Sequence, residues 1–281
     1  MKTIKDISVM QRLCLDARAR GDAIALVPTM GFLHDGHRAL LRAGRTRGDI
    51  LVLSIFVNPA QFGPKEDYAS YPRDMERDLK IAEEAGADIV FTPEPSSVYP
   101  PGYQTYAEVT ELTKGLCGAS RPGHFRGVAT IVLKLFNIVF PHAAIFGEKD
   151  FQQLITIKKM VNDLNLPIEI IGVETAREAD GLAMSSRNSH LNPKERLAAS
   201  SIPRALMAAK KAARNGATAK TIIEKAKKIM EKEPQAVIEY ISVCDPVALR
   251  ELAHVEKTAR LLVAVRIGKT RLIDNCLLTA E

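Results

Sequence analysis

Apolar residues follow two rhythms along the first two thirds of the chain. Short, nearly continuous apolar runs at 23–27, 50–57, 88–91, 143–146 and 168–173 alternate with longer stretches at 36–47, 73–85, 126–139 and 150–164. In the longer stretches apolar positions recur every three or four residues. The first rhythm predicts strands and the second helices. The run 50–57 (Ile-Leu-Val-Leu-Ser-Ile-Phe-Val) is almost wholly apolar, as a strand covered on both faces must be. Gly86 supplies a stop signal for the helix at 73–85, and Asp150 stands near the start of the one at 150–164. Four prolines within 92–103 predict a loop. Strands alternating with helices predict an α/β fold, a parallel sheet wound on both faces.

The pattern changes after about Arg177. Residues 178–192 are polar and rich in Gly, Ser and Asn, and read as a hinge or active-site loop. Asn192 caps and Pro193 opens a helix that is expected to run to about Asn215 and to stop at Gly216. Thr218 caps a second helix, to about Lys232. Strand-like runs at 236–243, 259–267 and 271–278 close the chain, and Gly268-Lys269 suits a tight hairpin. The expected organisation is a domain over 1–177, a polar connector over 178–192, and a smaller α+β domain over 193–281.

Composition narrows the class. A chain of 281 residues can build one large core or two modest ones, and 46% apolar with 26% charged residues is ordinary for a soluble globular protein. The longest apolar stretch, 127–142, is interrupted by Lys134 and is too short to span a bilayer, so no membrane partner is expected. The first residues lack the apolar core of an export signal. Cys14, Cys117, Cys244 and Cys276 are scattered, with no Cys-x-x-Cys pair, as in a reducing compartment. A cytoplasmic location is the expectation.

Residues 190–281 carry 17 Lys and Arg against 10 Asp and Glu, so the net charge of +6 belongs to the C-terminal third. Its lysines at 220, 225, 227, 228 and 232 alternate with an apolar stripe, and no aromatic residues interleave to stack on bases. A solvated helix face is the reading, and no nucleic-acid partner is expected. Salt-sensitive RNA binding would be the mark of the rival class.

The chemistry begins at Val27-Pro28-Thr29-Met30-Gly31-Phe32-Leu33-His34-Asp35-Gly36-His37. His34 and His37 stand where a predicted strand hands over to a helix N-terminus. Outward-pointing N–H groups and the helix dipole favour anions there. Gly36 removes a side chain between the imidazoles, so a phosphate can approach the backbone. A nucleoside triphosphate site is one reading; a helix cap or surface pair is the other. A metal site needs three or four ligands, and no Cys or Glu set stands at ligand spacing nearby. No protein metal ligand is assigned.

Ligands of open parallel sheets sit at the carboxyl ends of the strands. Three more loops fall there. The first holds Asn58-Pro59-Ala60-Gln61, the second Gly147-Glu148-Lys149-Asp150 with Gln152-Gln153, and the third Arg177 to Asn188. Asn58 and Gln61 either bind a ligand or cap the turn at Pro59. Two hydroxyls beside Arg187 make a phosphate clamp or an ordinary polar loop. Arg121, His124 and Arg126 either bind anions or brace a glycine-rich loop. No Walker A string, Gly-x-Gly-x-x-Gly turn or nucleophile-elbow serine is present.

Together these strings resemble the pantoate–β-alanine ligase (pantothenate synthetase) family. His34-Asp35-Gly36-His37 matches the His-x-Gly-His signature that the family shares with a wider nucleotidyltransferase superfamily. More specific are Pro28-Thr29-Met30-Gly31, Phe56-Val57-Asn58-Pro59-x-Gln61-Phe62 and Arg121-Pro122-Gly123-His124-Phe125-x-Gly127-Val128. Two further strings agree: Gly147-x-Lys149-Asp150-x-Gln152-Gln153, and Arg177 through Ala183 followed by Ser185-Ser186-Arg187-Asn188. They fall in order over nearly the whole chain.

The resemblance implies a Rossmann-like N-terminal domain, a C-terminal domain that covers the site, and a homodimer. It implies ATP with Mg2+, and condensation of (R)-pantoate with β-alanine through a pantoyl adenylate. By matching position, His34 and His37 contact the phosphates, with His37 as the family's proposed proton donor. Lys149, Ser185, Ser186 and Arg187 hold the phosphates. Met30, Gly31, Gly36, Gly147, Glu148, Asp150, Ala176 and Met184 complete the nucleotide pocket. Gln61, Gln153, Met30 and Asn58 take pantoate and β-alanine. Two positions depart from the family's usual residues: Ala176, where Val is common, and Phe32, where a small residue is usual. The alternative activity is nucleotidyl transfer to a phosphorylated acceptor, which shares the histidines but has no need of paired glutamines.

Overall fold

A computed structural model describes residues 1–64 and 66–280. The chain divides into two compact units that are interleaved in sequence. The first comprises 1–114, 121–148 and 153–174; the second comprises 115–120, 149–152 and 175–281.

In chain order the elements up to residue 173 are β1 (Lys2–Ile4), α1 (Ile7–Ala19), β2 (Ile24–Thr29), α2 (Asp35–Arg45), β3 (Ile50–Ile55), α3 (Met75–Glu84), β4 (Ile89–Phe91), α4 (Pro95–Val98), α5 (Cys117–Ser120), α6 (His124–Val139), β5 (Ala143–Gly147), α7 (Phe151–Asp163) and β6 (Glu169–Val173). The strands form one sheet in the order β1-β4-β3-β2-β5-β6. Every pairing in it is parallel, with Leu26 beside Val52 and Ala144.

Side-chain alternation divides the sheet's two faces. Ile24, Leu26, Val52, Ile89, Phe91, Ala144 and Phe146 pack with buried residues of α1, α6 and α7. Their immediate neighbours Ala25, Val27, Leu51, Leu53, Val90, Ala143 and Ile145 pack with Leu41 of α2 and Ile81 and Ala82 of α3. Each strand therefore feeds two cores, which is why its sequence reads as an unbroken apolar run. The expected doubly wound α/β architecture is the observed one.

The second unit continues with α8 (Pro193–Ala199), α9 (Ser201–Arg214), α10 (Ala219–Met230), β7 (Ala236–Cys244), β8 (Thr258–Ile267) and β9 (Thr270–Thr279). The three strands form an antiparallel sheet, β7-β8-β9. Gly268, at φ +56°, makes the expected two-residue hairpin between β8 and β9. Leu261, Val263, Val265, Leu272, Cys276 and Leu278 turn one face toward the alanine-rich α9 and α10. The opposite face carries Arg260, Arg271 and Asn275, and meets segments 115–120 and 149–152.

Three expectations are corrected. The single helix over 193–215 is two helices. Pro203, third in α9, has no N–H for the Ala199 carbonyl and its ring would crowd it, so the chain breaks at Ser200. The proline-rich loop 92–103 contains one helical turn, α4, with Pro95 at its first position. The N-terminal β1 and α1 were not expected at all, although Ile7, Met10, Cys14 and Ala17 keep helical spacing after the Asp6 cap.

All four cysteines are buried and reduced. Burial pushes the thiols of Cys14 and Cys276 up to about 11. No helix among the described residues is long and apolar enough to cross a membrane.

Candidate active site

The first unit carries candidate residues at the carboxyl ends of β2, β3 and β5. After β2 the chain turns sharply, with Gly31 at φ +81° and Phe32 at φ +50°. The turn aims the N–H groups of Phe32 and Leu33 at a single anion. Here the anion is internal. Asp78 of α3, 1% exposed, accepts the Phe32 N–H at 2.7 Å and the Leu33 N–H at 2.6 Å. A Cβ on Gly31 would stand 2.9 Å from both Asp78 Oδ2 and Ile55, so the turn requires glycine. Burial raises the Asp78 carboxyl above its usual value, although both backbone bonds and Arg77 pull it down. The Arg77 guanidinium lies 5.1 Å from the Phe32 ring centre.

This turn delivers His34 as the N-cap of α2. His34 Nδ1 accepts the Gly36 N–H at 3.1 Å, and His37 Nδ1 accepts the His34 N–H at 3.2 Å. The pair forms a reciprocal capping box, with ring centres 4.1 Å apart. A nitrogen that accepts carries no proton, so both rings are held in the tautomer with the proton on Nε2. Of the two readings left open by the sequence, the helix cap is observed: one edge of each imidazole caps the helix, and the ring proton stands on the other edge.

The β3 loop is a 3₁₀ turn, Pro59–Gln61, with Asn58 as its cap. Asn58 is 1% exposed and its carboxamide is saturated. It donates to Gln61 Oε1 at 3.0 Å and the Gly127 carbonyl at 3.1 Å, and accepts from Ala60 N–H at 3.3 Å and Tyr99 Oη at 2.8 Å. It therefore orients Gln61, whose Nε2 lies 3.3 Å from Met30 Sδ. The structure thus brings Met30 and Gln61 together across two loops. Gly127 lets α6 abut this turn; a Cβ there would collide with the Ala60 carbonyl and stand 2.6 Å from Gln61 N.

Arg121 and His124 brace the same loop. Arg121 grips Glu66 with two bonds of 2.6 Å. Burial alone would raise the Glu66 carboxyl, but the guanidinium holds it below the usual range. Arg121 also faces His124 Nε2 at 3.0 Å. Arginine can only donate, so Nε2 accepts and Nδ1–H donates to the Gln61 carbonyl at 2.9 Å. Arg126 lies 4.1 Å over the Tyr106 ring instead. Gly147 ends β5, while Glu148 and, in the first turn of α7, Gln153 are half-buried.

The second unit carries the remaining candidates. Lys149 Nζ lies 4.0 Å from Asp150 Oδ2. Gln152, 4% exposed, donates to the Gly115 carbonyl and accepts the Cys117 N–H, both at 3.0 Å, so it ties its own segment to 115–118. Arg177 and Ala183 form a β-bridge, and the Ala176 carbonyl accepts the Met184 N–H at 2.9 Å. This tight turn leads to Ser185, whose Oγ accepts the Arg187 N–H at 3.3 Å at the head of the 3₁₀ turn Ser186–His190. Asn188 closes the loop onto Glu178 at 2.6 Å and the Ala183 carbonyl at 3.0 Å. No group of three metal-ligating side chains occurs among the described residues.

Residues 2–277 match the family described as pantoate-β-alanine ligase. This chain belongs to that family. It is 55% identical to the pantothenate synthetase of Syntrophotalea carbinolica, over 98% of both chains. Among solved structures, the pantothenate synthetase of Thermus thermophilus is similar with a TM-score of 0.93 and 42% identity, over 98% of this chain and 99% of that one. The pantoate-β-alanine ligase of Francisella tularensis, complexed with β-γ ATP and β-alanine, has a TM-score of 0.82 and 33% identity, over 99% and 97%. The fold described above is thus shared with solved members of the family.

Asp78 and the residues that hold Lys149 were not expected from sequence. Each is a polar residue in an element otherwise patterned as a helix or strand, and its partner lies far away in the chain.

Proposed function

We propose that this protein uses ATP to join (R)-pantoate to β-alanine, through a pantoyl-adenylate intermediate. In the first step a carboxylate oxygen of pantoate bonds to the α-phosphorus as the bond to pyrophosphate breaks. In the second the β-alanine amine bonds to the acyl carbon, AMP departs with the bridging oxygen, and the amine loses a proton. The pantoate carboxylate is already ionised at neutral pH and needs no base. What remains for the protein is alignment, and balancing of charge on the phosphates and the leaving group.

The observation that carries the reading is the histidine capping box, which fixes two Nε2–H donors at a helix N-terminus. His34 and His37 donate Nε2–H hydrogen bonds to phosphate oxygens, and the bond from His37 stabilises the charge that grows on the departing pyrophosphate. Lys149, Ser185, Ser186 and Arg187 hold the phosphates. The nucleoside lies against Gly147, Glu148, Asp150, Ala176 and Met184, with Gly31 and Gly36 leaving room for the chain of phosphates. Gln61 and Gln153 hydrogen-bond pantoate, Met30 closes the pocket, and Asn58 acts by holding Gln61.

Mg2+ would be delivered with the nucleotide. When bound, the ion would neutralise phosphate charge. A homodimer in the cytoplasm completes the proposal.

Pyrophosphate exchange into ATP, with and without pantoate, tests it. Exchange that requires pantoate, followed by AMP release on adding β-alanine, is expected. Exchange driven by a phosphorylated acceptor and not by pantoate would give the site to the nucleotidyltransferase alternative.

A further inference from the structure

Strand β9 holds two adjacent polar residues that neither the reaction nor the core requires. Asp274 and Asn275 are 2% and 3% exposed, and strand alternation sends their side chains to opposite faces. Asn275 Nδ2 donates to the Lys149 carbonyl at 2.9 Å, and its Oδ1 accepts from Arg260 Nε at 2.7 Å. The guanidinium carbon of Arg260, a residue 8% exposed, lies over the Phe151 ring, 4.1 Å from its centre. Lys149 and Phe151 are thus pinned at two points to the second unit's sheet.

On the other face, Asp274 accepts two bonds from Arg177, at 2.8 and 3.0 Å. Arg177 also donates to the Gly181 carbonyl at 2.9 Å, which closes the turn that leads into Ser185. The Asn275 N–H donates to Asp274 Oδ1 at 2.7 Å, so the two grips share a backbone.

Burying Arg260, Asp274 and Asn275 on a small sheet is costly unless each is used. We infer that Asp274 and Asn275 are positioning residues that set Lys149 and the Ser185–Ser186–Arg187 turn at a fixed spacing, so that an ATP triphosphate meets a preassembled clamp. Neither residue touches substrate. Asn275 acts through the backbone of Lys149, and Asp274 through Arg177. This rests on the proposed phosphate-holding role of Lys149.

Asn275→Asp tests it. The variant keeps the volume and the acceptor for Arg260, but replaces the donor with an oxygen facing the Lys149 carbonyl. Asn275→Ser, uncharged and smaller, is run beside it, and a cycle from either variant that melts as one folded species decides. Initial rates of pantoate-dependent pyrophosphate exchange are measured for wild type, the Asn275 variant, Lys149→Ala and the double variant.

The expected result is a fall of at least ten-fold in kcat/KM for ATP in the Asn275 variant, with KM for pantoate within two-fold. The double variant should be no worse than Lys149→Ala alone, since residues acting through one group are not additive. Wild-type kinetics in the Asn275 variant while Lys149→Ala is impaired would overturn the inference. So would losses that multiply in the double variant, or a lowered kcat with both KM values unchanged, which is the mark of a smaller active fraction. An unimpaired Lys149→Ala would instead refute the phosphate-holding reading beneath it.

Discussion

Asp78→Asn probes the clamp that sets the histidines. The native carboxylate takes two backbone N–H groups, at 2.7 and 2.6 Å, in a site 1% exposed. An amide oxygen can keep one of them; the amide NH2 then faces the other. A lost bond to a charged acceptor is worth about 1.5–3 kcal/mol, and a buried unpaired N–H costs about 1–3 kcal/mol. Against this, the variant no longer buries a charge, and burial is the largest influence on the native carboxyl. The net expectation is a loss of roughly 1–3 kcal/mol. In a protein of this size that lowers the melting midpoint by roughly 2–12 °C.

Activity should suffer more. Phe32 and Leu33 lead directly into the His34 cap, and a displacement of about 1 Å at reacting groups can cost roughly 100-fold. The pH dependence has a sign. Because the folded carboxyl titrates above its unfolded value, the native state binds the extra proton between those two values. The wild type therefore loses stability as pH rises through that window, and the variant lacks this slope. Urea denaturation across the acidic range, paired with pantoate-dependent exchange at neutral pH, measures both effects. A variant with the wild-type midpoint, the same pH slope and the same exchange rate would refute the clamp.

Gly127→Ala places a methyl against the Ala60 carbonyl and Gln61 N. It should lower stability by about 1–3 kcal/mol in chemical denaturation and raise KM for pantoate more than KM for ATP. His37→Ala should slow first-turnover adenylate formation by roughly 100-fold or more while costing about 1 kcal/mol of helix capping; near-normal first turnovers would remove His37 from the chemistry. Lys149→Ala should cost exchange roughly 100-fold with little change in melting. Arg121→Ala should alter the acid limb of the stability curve. Arg121 holds Glu66 below its ordinary value, so this pair's contribution is present above the unfolded glutamate value and is lost as pH falls through the lower folded one. Denaturation midpoints of the variant should thus fall less steeply on acidification than those of wild type.

Much of this molecule was legible because its signals are local. The apolar run over β3, the Asn192-Pro193 cap and the Gly268 hairpin each depend on neighbouring residues, and each stands where expected. The His34–His37 pair was legible for the same reason: a capping box needs only residues three apart. What stayed hidden depends on distant partners. Asp78 looks like any acidic residue in the first turns of an amphipathic helix, yet it serves a turn 45 and 46 residues earlier. Asn275 sits in a strand pattern and serves a residue 126 positions away. The three-residue β1 forms because β4 offers an edge, which no run of three residues can announce. Pro203 did carry the break in the expected long helix, four positions after the carbonyl it cannot serve.

The interleaving of the two units bears on how the protein is made. Lys149 leaves the ribosome 126 residues ahead of the strand that fastens it. At ordinary elongation rates that is roughly 6–25 seconds. For that interval the nascent chain holds a finished parallel sheet at most, and the segment around Lys149 waits for a partner not yet synthesised. A chaperone or nucleotide that engages this segment early would act on it before the second unit exists.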